Sequence, residues 1–285
     1  MKISLFVIPL LALNATLSSF ADQAPRLELV WETEPIFSYP ESVVYDPARS
    51  VLYVSNIGET PKDNSANGDG FVSILSLSGT PIVKNYIRGL NDPKGMDLDG
   101  DTLWVNDRDA IVEWDLAEDQ LEKRHELENI VFLNDISVGP EGEIFSNDAD
   151  GHKVLKLEGD QWNVFWSDPD EGRPNGIRVE KDRIMLAMNW SHQLIAIDKG
   201  TMEISLLLDG IGAGDGIEPV GNGGYLITDY LGRIIYLSPE GVGSVLIDSR
   251  EDKLTADLEY IQDQNLVLIP RHKNNSVAAY RLIWD

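Results

Sequence analysis

The chain has 285 residues, no cysteine and a formal net charge of −25, with 42% hydrophobic and 25% charged residues. Thiol chemistry, cysteine-based zinc sites and disulfide staples are excluded, so stability has to come from a packed core. The acidity argues against a nucleic-acid or anionic-membrane surface, where basic side chains must neutralise phosphates, and leaves a small molecule as the expected partner.

The chain opens with a single positive charge at Lys2, an apolar run from Ile3 to Leu13 and a small-residue site at Ser19-Phe20-Ala21. That is the pattern of a cleaved secretory signal peptide over 1–21, and the apolar run is too short to span a bilayer. No Ser/Pro/Gly-rich linker or charge block divides the remainder, so 22–285 reads as one exported domain, periplasmic or secreted, without a membrane span and expected to be a monomer. The first β-prone run, Leu27 to Trp31, belongs to no complete repeat.

From residue 39 onward the chain repeats. Tyr39-Pro40-Glu41-Ser42-Val43 is followed by Asp92-Pro93-Lys94-Gly95-Met96, Phe132-Leu133-Asn134-Asp135-Ile136, Arg173-Pro174-Asn175-Gly176-Ile177, Ala213-Gly214-Asp215-Gly216-Ile217 and Leu254-Thr255-Ala256-Asp257-Leu258. The third positions are Glu41, Lys94, Asn134, Asn175, Asp215 and Ala256, spaced by 53, 40, 41, 40 and 41 residues. After each anchor comes a β-branched and aromatic second strand: Val51 to Ser55, Leu103 to Asn106, Glu143 to Ser146, Ile184 to Met188, Tyr225 to Thr228 and Asn265 to Ile269. Five of these run into Asn56, Asp107, Asn147, Asn189 or Asp229. Third strands are predicted at Phe71 to Leu77, Ile111 to Leu116, Lys153 to Leu157, Leu194 to Asp198, Ile234 to Leu237 and Val277 to Leu282, and polar Gly-containing turns such as Ser78-Gly79 and Lys199-Gly200 lead into fourth strands.

Asp115 to Ile130 has the composition of an amphipathic helix, but the repeat register makes it a hairpin. A period of roughly 40 residues with four strands per unit predicts a six-bladed β-propeller. The last repeat ends after its third strand, so Leu27 to Trp31 is expected to supply the missing fourth strand, closing the ring and removing two exposed edges. The long first interval places extra residues near Ile57 to Gly70, read either as a lid or specificity loop or as a solvated insertion.

In a propeller the first strand of each blade lines the central channel. Glu41, Lys94, Asn134, Asn175, Asp215 and Asp257 are therefore expected to form a polar ring at one mouth. Glu, Asn and Asp oxygens brought together suit a hard divalent cation, calcium first, with magnesium, manganese or zinc as alternatives. The competing reading is a polar channel mouth that holds only water and neighbouring backbone.

On Glu41, Asn134-Asp135, Pro174-Asn175-Gly176 and Asp215-Gly216-Ile217, the chain resembles the gluconolactonase and regucalcin family, six-bladed propellers with one divalent cation in the channel. The resemblance implies Glu41, Asn175 and Asp215 as metal ligands, Asn134 beside substrate and metal, and Asp215 as the base that activates water. Two features depart from the family pattern. The Arg found in some members two residues before the substrate Asn is Phe132 here, and Lys94 places a cation in the ring, where it either binds an anionic group or pairs with Asp97, Glu41 or Asp257.

These readings give catalytic roles to Asp215 and Lys94, substrate contacts to Asn134, Lys94, Asp257 and Trp190, and metal ligation to Glu41, Asn175 and Asp215. The expected function is a metal-dependent lactonase or esterase. The alternatives are a non-catalytic propeller that binds a small ligand or protein at the same mouth, and a strictosidine-synthase-like or arylesterase-like activity, which rests on fold analogy. His125, His152, His192 and His272 lack metal-type spacing, with His192 and His272 placed where either would rim the pocket. The acidic turns at Asp97 to Asp101 and Asn147 to Gly151 lack the bidentate Glu of an EF-hand.

Overall fold

A computed structural model describes residues 24–59, 66–168, 170, 172–252 and 254–284. The proposed signal peptide and the tip of the long first loop lie outside the described residues. Strand β1, Arg26–Glu32, precedes the first blade, which consists of Pro40–Asp46, Val51–Asn56, Gly70–Ser76 and Pro81–Leu90 (β2 to β5). The second blade is Pro93–Asp99, Thr102–Asp107, Ala110–Asp115 and Gln120–Glu126 (β6 to β9), and the third is Leu133–Val138, Ile144–Asp148, Lys153–Glu158 and Gln161–Ser167 (β10 to β13). The fourth is Pro174–Val179, Arg183–Met188, Gln193–Asp198 and Ile204–Asp209 (β14 to β17), and the fifth Gly214–Pro219, Tyr225–Asp229, Arg233–Leu237 and Gly243–Asp248 (β18 to β21). Glu259–Ile261, Leu266–Arg271 and Ser276–Ile283 (β22 to β24) begin the sixth.

Each blade is an antiparallel four-stranded sheet, and the sixth is completed by β1 in the order β22, β23, β24, β1. Arg26 faces Ile283 and Glu32 faces Ala278, with a bulge between Leu29 and Trp31. The two ends of the chain thus share one sheet, as the incomplete last repeat requires. Trp31 fastens the join by packing against the cluster between the sixth and first blades and donating from Nε1 to the Leu77 carbonyl at 3.0 Å. The helix-like composition of 115–130 is resolved as β9, paired with β8 from Ala110↔Glu126 to Asp115↔Gln120.

The core consists of six clusters, one in each interface between neighbouring blades. Strand periodicity accounts for this arrangement, because successive side chains leave opposite faces of a sheet and both faces are covered. In β15, Ile184, Leu186 and Met188 pack toward the third blade, while Met185 and Ala187 pack toward the fifth. Middle strands therefore read as unbroken apolar runs, whereas outer strands such as β17 keep Ile204 and Leu206 in solvent.

Inner strands are stitched to one another by side chains that accept from the next strand's backbone N–H. Asp97 accepts from Val138 N at 2.7 Å, Asp135 from Ile177 N at 3.0 Å, Ser137 from Val179 N at 3.1 Å and Glu259 from Tyr45 N at 3.2 Å. These bonds satisfy channel-facing donors that no strand pairs. A chain lacking Arg26–Glu32 exposes the β24 edge and is expected to melt at least several degrees lower and to aggregate on heating. An unchanged melting curve would contradict closure by β1.

Candidate metal and ligand site at the channel mouth

One mouth of the channel opens into a cavity of about 500 Å³, whose wall includes Glu41, Lys94, Asn134, Asn175 and Asp215. Five of the six ring positions are thus brought together, each on the first residues of an inner strand. The register shifts in every pairing where they sit: between Pro40 and Val43, Pro93 and Met96, Leu133 and Ile136, Pro174 and Gly176, and Gly214 and Ile217. A bulge at the same place in each blade aims the ring residue into the channel.

The glycines after the anchors allow inner strands to meet there. A Cβ on Gly176 would lie 1.7 Å from the Asp215 carbonyl oxygen, one on Gly95 2.8 Å from the Asn134 carbonyl, and one on Gly216 2.6 Å from Leu258 N. The polar residues that close the second strands fix the anchor loops. Asn56 accepts from Ser38 N, Asp107 from Asn91 N and Asp92 N, Asp148 from Phe132 N, and Asp229 from Ala213 N. Asn147 donates to the Asn175 carbonyl and accepts from Asp135 N.

The three proposed metal ligands are buried, with Glu41 8%, Asn175 4% and Asp215 3% exposed. Asn175 donates from Nδ2 to the Gly214 carbonyl at 3.2 Å, which leaves its Oδ1 buried without a partner. No hydrogen bond or ion pair among the described residues reaches the carboxylates of Glu41 or Asp215. Burial comes first, followed by repulsion from Asp215 and Asp257 at Glu41 and from Asp257 at Asp215, and together they raise both carboxyls well above the ordinary range. A buried orphan carbonyl oxygen beside two carboxylates without donors is a donor set for a hard cation. Among the described residues no group of three or more His, Cys, Asp or Glu side chains is arranged to hold a metal; the set here has two carboxylates and one amide.

Lys94 is 3% exposed. Its Nζ lies 2.6 Å from Asp92 Oδ2 and 4.4 Å from the centre of the Phe132 ring. Its partner is therefore none of Asp97, Glu41 or Asp257. The carboxylate two residues earlier holds it, because Asp107 pins the Asp92 backbone. Asn134 is buried in the wall.

Two expected contacts are corrected. Asp257 does not line this cavity. It lies one residue past the ring position held by Ala256, accepts from Ser42 Oγ at 2.8 Å and Leu258 N at 2.7 Å, and joins the sixth inner strand to the first. With Asp97, Asp135, Glu218, Glu259 and Arg178 it lines a second cavity of about 510 Å³ at the opposite mouth. Trp190 is 56% exposed and outside the wall, reaching the site only through Arg173, whose guanidinium carbon lies 5.7 Å from its ring centre.

Sequence reasoning missed Arg173, Tyr230 and Asp92 and left His272 undecided. All four line the cavity, whereas His192 stays in solvent with Nδ1 against the Gly212 carbonyl. His272 lies between Tyr39 and Tyr230, with ring centres 5.4 and 5.6 Å away. Burial pushes its pKa down to about 4 despite a hydrogen bond to the Pro40 carbonyl, and Nδ1 has no partner. The available signal was position: Tyr230 and His272 directly follow second strands. Ile57, at the neck of the long loop, also reaches the wall.

No protein-family model and no curated protein matches the chain. Solved structures share its fold. A catalytically inactive histidine-to-alanine variant of virginiamycin B lyase from Staphylococcus aureus, with quinupristin, is 11% identical, with TM-score 0.65 over 91% of this chain and 100% of that one. A protein assigned to the gluconolactonases is 15% identical, with TM-score 0.67 over 90% and 92%. An auxiliary nutrient binding protein from Bacteroides ovatus is 12% identical, with TM-score 0.66 over 86% and 70%. This chain is a six-bladed β-propeller, and the neighbours that resemble its fold differ in what they do.

Gly176→Ala is expected to cost about 3 kcal/mol or more, because a backbone atom cannot yield to the new methyl, and to lower the melting temperature by roughly 10 °C. A neutral result would mean that the inner strands are further apart than described. A pH effect follows from the opposite mouth, where burial raises Asp257 to about 6 and Glu218 to about 7. A raised carboxyl stabilises the fold below its unfolded pKa of about 4, and that contribution is lost as pH rises through the folded value. In metal-free protein, Asp257→Asn should therefore flatten the fall of melting temperature between about pH 4 and 7; an unaltered slope would contradict the assignment.

Proposed function

We propose that the chain is an exported metal-dependent hydrolase of the gluconolactonase and regucalcin type, opening a lactone or related ester at this mouth. One divalent cation, calcium first, would be held by Glu41, Asn175 and Asp215. The observation that carries this reading is the unpartnered Asn175 Oδ1 beside two carboxylates to which no described group donates. Support of a coarser kind comes from the shared fold of a protein assigned to the gluconolactonases.

Held by these residues, such a cation would supply Lewis-acid polarisation of the ester carbonyl. The chain's own residues supply the rest. Asp215 takes the proton of the attacking water and returns it to the ring oxygen as the acyl C–O bond breaks, leaving the hydroxy acid. Lys94, fixed by Asp92 and the Phe132 ring, and Asn134 donate to the oxygen that gains charge. His272 and Tyr230 wall one side with aromatic surface, with Tyr39 backing the His272 ring from outside the cavity, and a ring substrate packs against that side.

A second reading assigns the proton transfer to His272. It lines the cavity, stays neutral above about pH 4 and has an unpartnered Nδ1, so at neutral pH it is available as a proton acceptor, though a weak one. The two readings separate experimentally. Asp215→Ala and Asn175→Ala should abolish the melting-temperature rise caused by calcium and lower lactone hydrolysis by about 100-fold or more. His272→Ala should keep the calcium response, and its hydrolysis decides which group is the base. Hydrolysis that survives chelation and Asn175→Ala would overturn the proposal.

A further inference from the structure

The cavity contains a second cation that the lactonase reading does not use. Arg173 stands in its wall, two residues before Asn175, with left-handed backbone at φ 63° although a proline follows. The Asn189 backbone N–H donates to its carbonyl at 2.8 Å. Its Nε donates to Asp150 Oδ1 at 2.6 Å, and its guanidinium carbon lies 5.4 Å from the Phe132 ring centre and 5.7 Å from that of Trp190. One edge of the guanidinium is thus bound and two aromatic rings locate its plane, while no described group accepts from Nη1 or Nη2.

We infer that Arg173 is a specificity-determining residue that binds a carboxylate carried by the substrate outside the bond that is broken, so that the preferred substrates are carboxylated lactones or esters. The inference rests on the hydrolase reading for the word substrate, but not for the binding itself. A guanidinium offers two parallel N–H donors in the spacing of a carboxylate, and its orientation here is set before any ligand arrives, which lowers the ordering cost of binding. Phe132 occupies the place where the resemblance leads one to expect an arginine. The cation is not lost from the cavity: Arg173, one blade further on, lies against the ring of that phenylalanine. Its charge reaches the ligand set, since it lowers the Asp215 carboxyl against the effect of burial.

A chain with a net charge of −25 repels anions at long range. Discrimination in favour of a carboxylate must therefore come from contact with a local donor pair. Lys94, assigned above to the oxygen of the bond that is broken and held by Asp92 at 2.6 Å, is a compact point charge without the paired N–H donors of a guanidinium.

The test compares isosteric probes that differ only in charge. Calorimetric binding of tetrahydrofuran carboxylate and tetrahydrofuran carboxamide, neither of which can be hydrolysed, is measured on the calcium-loaded protein and on the Arg173→Ala, Arg173→Gln and Arg173→Lys variants. The wild type is expected to prefer the carboxylate by about 10- to 100-fold, the range of a charge-assisted pair. That preference should vanish in Arg173→Gln and Arg173→Ala and return in part in Arg173→Lys. The same ratio is read kinetically on γ-butyrolactone carrying a ring carboxylate or carboxamide, where the change should fall on KM rather than kcat.

Equal binding of the two probes to wild type overturns the inference even if Arg173→Ala fails to fold. So does a carboxylate preference that persists in Arg173→Gln, which assigns it to the cation or Lys94. Carboxylate binding that depends on Arg173 while no lactone is turned over supports the inference and counts against the hydrolase reading. Turnover of both lactones at one rate does the reverse.

Discussion

The structure depends on how closely six inner strands approach one another at the axis. Where Gly176 passes Asp215 there is no room for a single methyl carbon. That closeness brings residues some forty positions apart in sequence into the wall of one cavity of about 500 Å³. The constraint falls on backbone. It therefore selects glycine after the ring position in three blades, and a residue that can hold the neighbouring strand in the others. Ser42 and Asp257 bind each other, and Asp135 reaches Ile177 N.

Convergence has an electrostatic consequence. An acidic chain that lines its axis with carboxylates must either protonate them or neutralise them, since burying like charges together raises each pKa. At one mouth the carboxylates are tied to backbone N–H groups, Ser42 and Arg178, and act as stitching between blades. At the other, Glu41 and Asp215 have no such donors and face an amide oxygen that also lacks one. Similar side chains thus have structural work at one end of the channel and remain available for chemistry at the other.

Much of this was legible in the sequence. The regular anchor spacing gave the blade count, and the missing last strand gave the closure, because an incomplete sheet needs an edge partner and only Leu27 to Trp31 was spare. The polar ring followed from the register. The errors have one cause: register assigns a residue to a position but not a side chain to a direction. Asp257 stood next to a ring position, and a single residue along a strand moved it to the other cavity. Lys94 found its partner in Asp92, two residues away, since the bulge folds the anchor back on itself. Arg173 opens its anchor and Tyr230 follows a second strand, but the other repeats carry unlike residues at those places, so the repeat gave no reason to aim either into the cavity.

The central claim is that the three oxygen-bearing side chains Glu41, Asn175 and Asp215 hold one cation. Crystals grown with manganese test it directly through anomalous scattering. The account predicts a single strong peak at the channel mouth, within coordination distance of Glu41, Asn175 Oδ1 and Asp215, and its loss in Asn175→Ala crystals. A peak confined to the opposite mouth among Asp97, Glu218 and Glu259, or no peak in the channel at all, would contradict it.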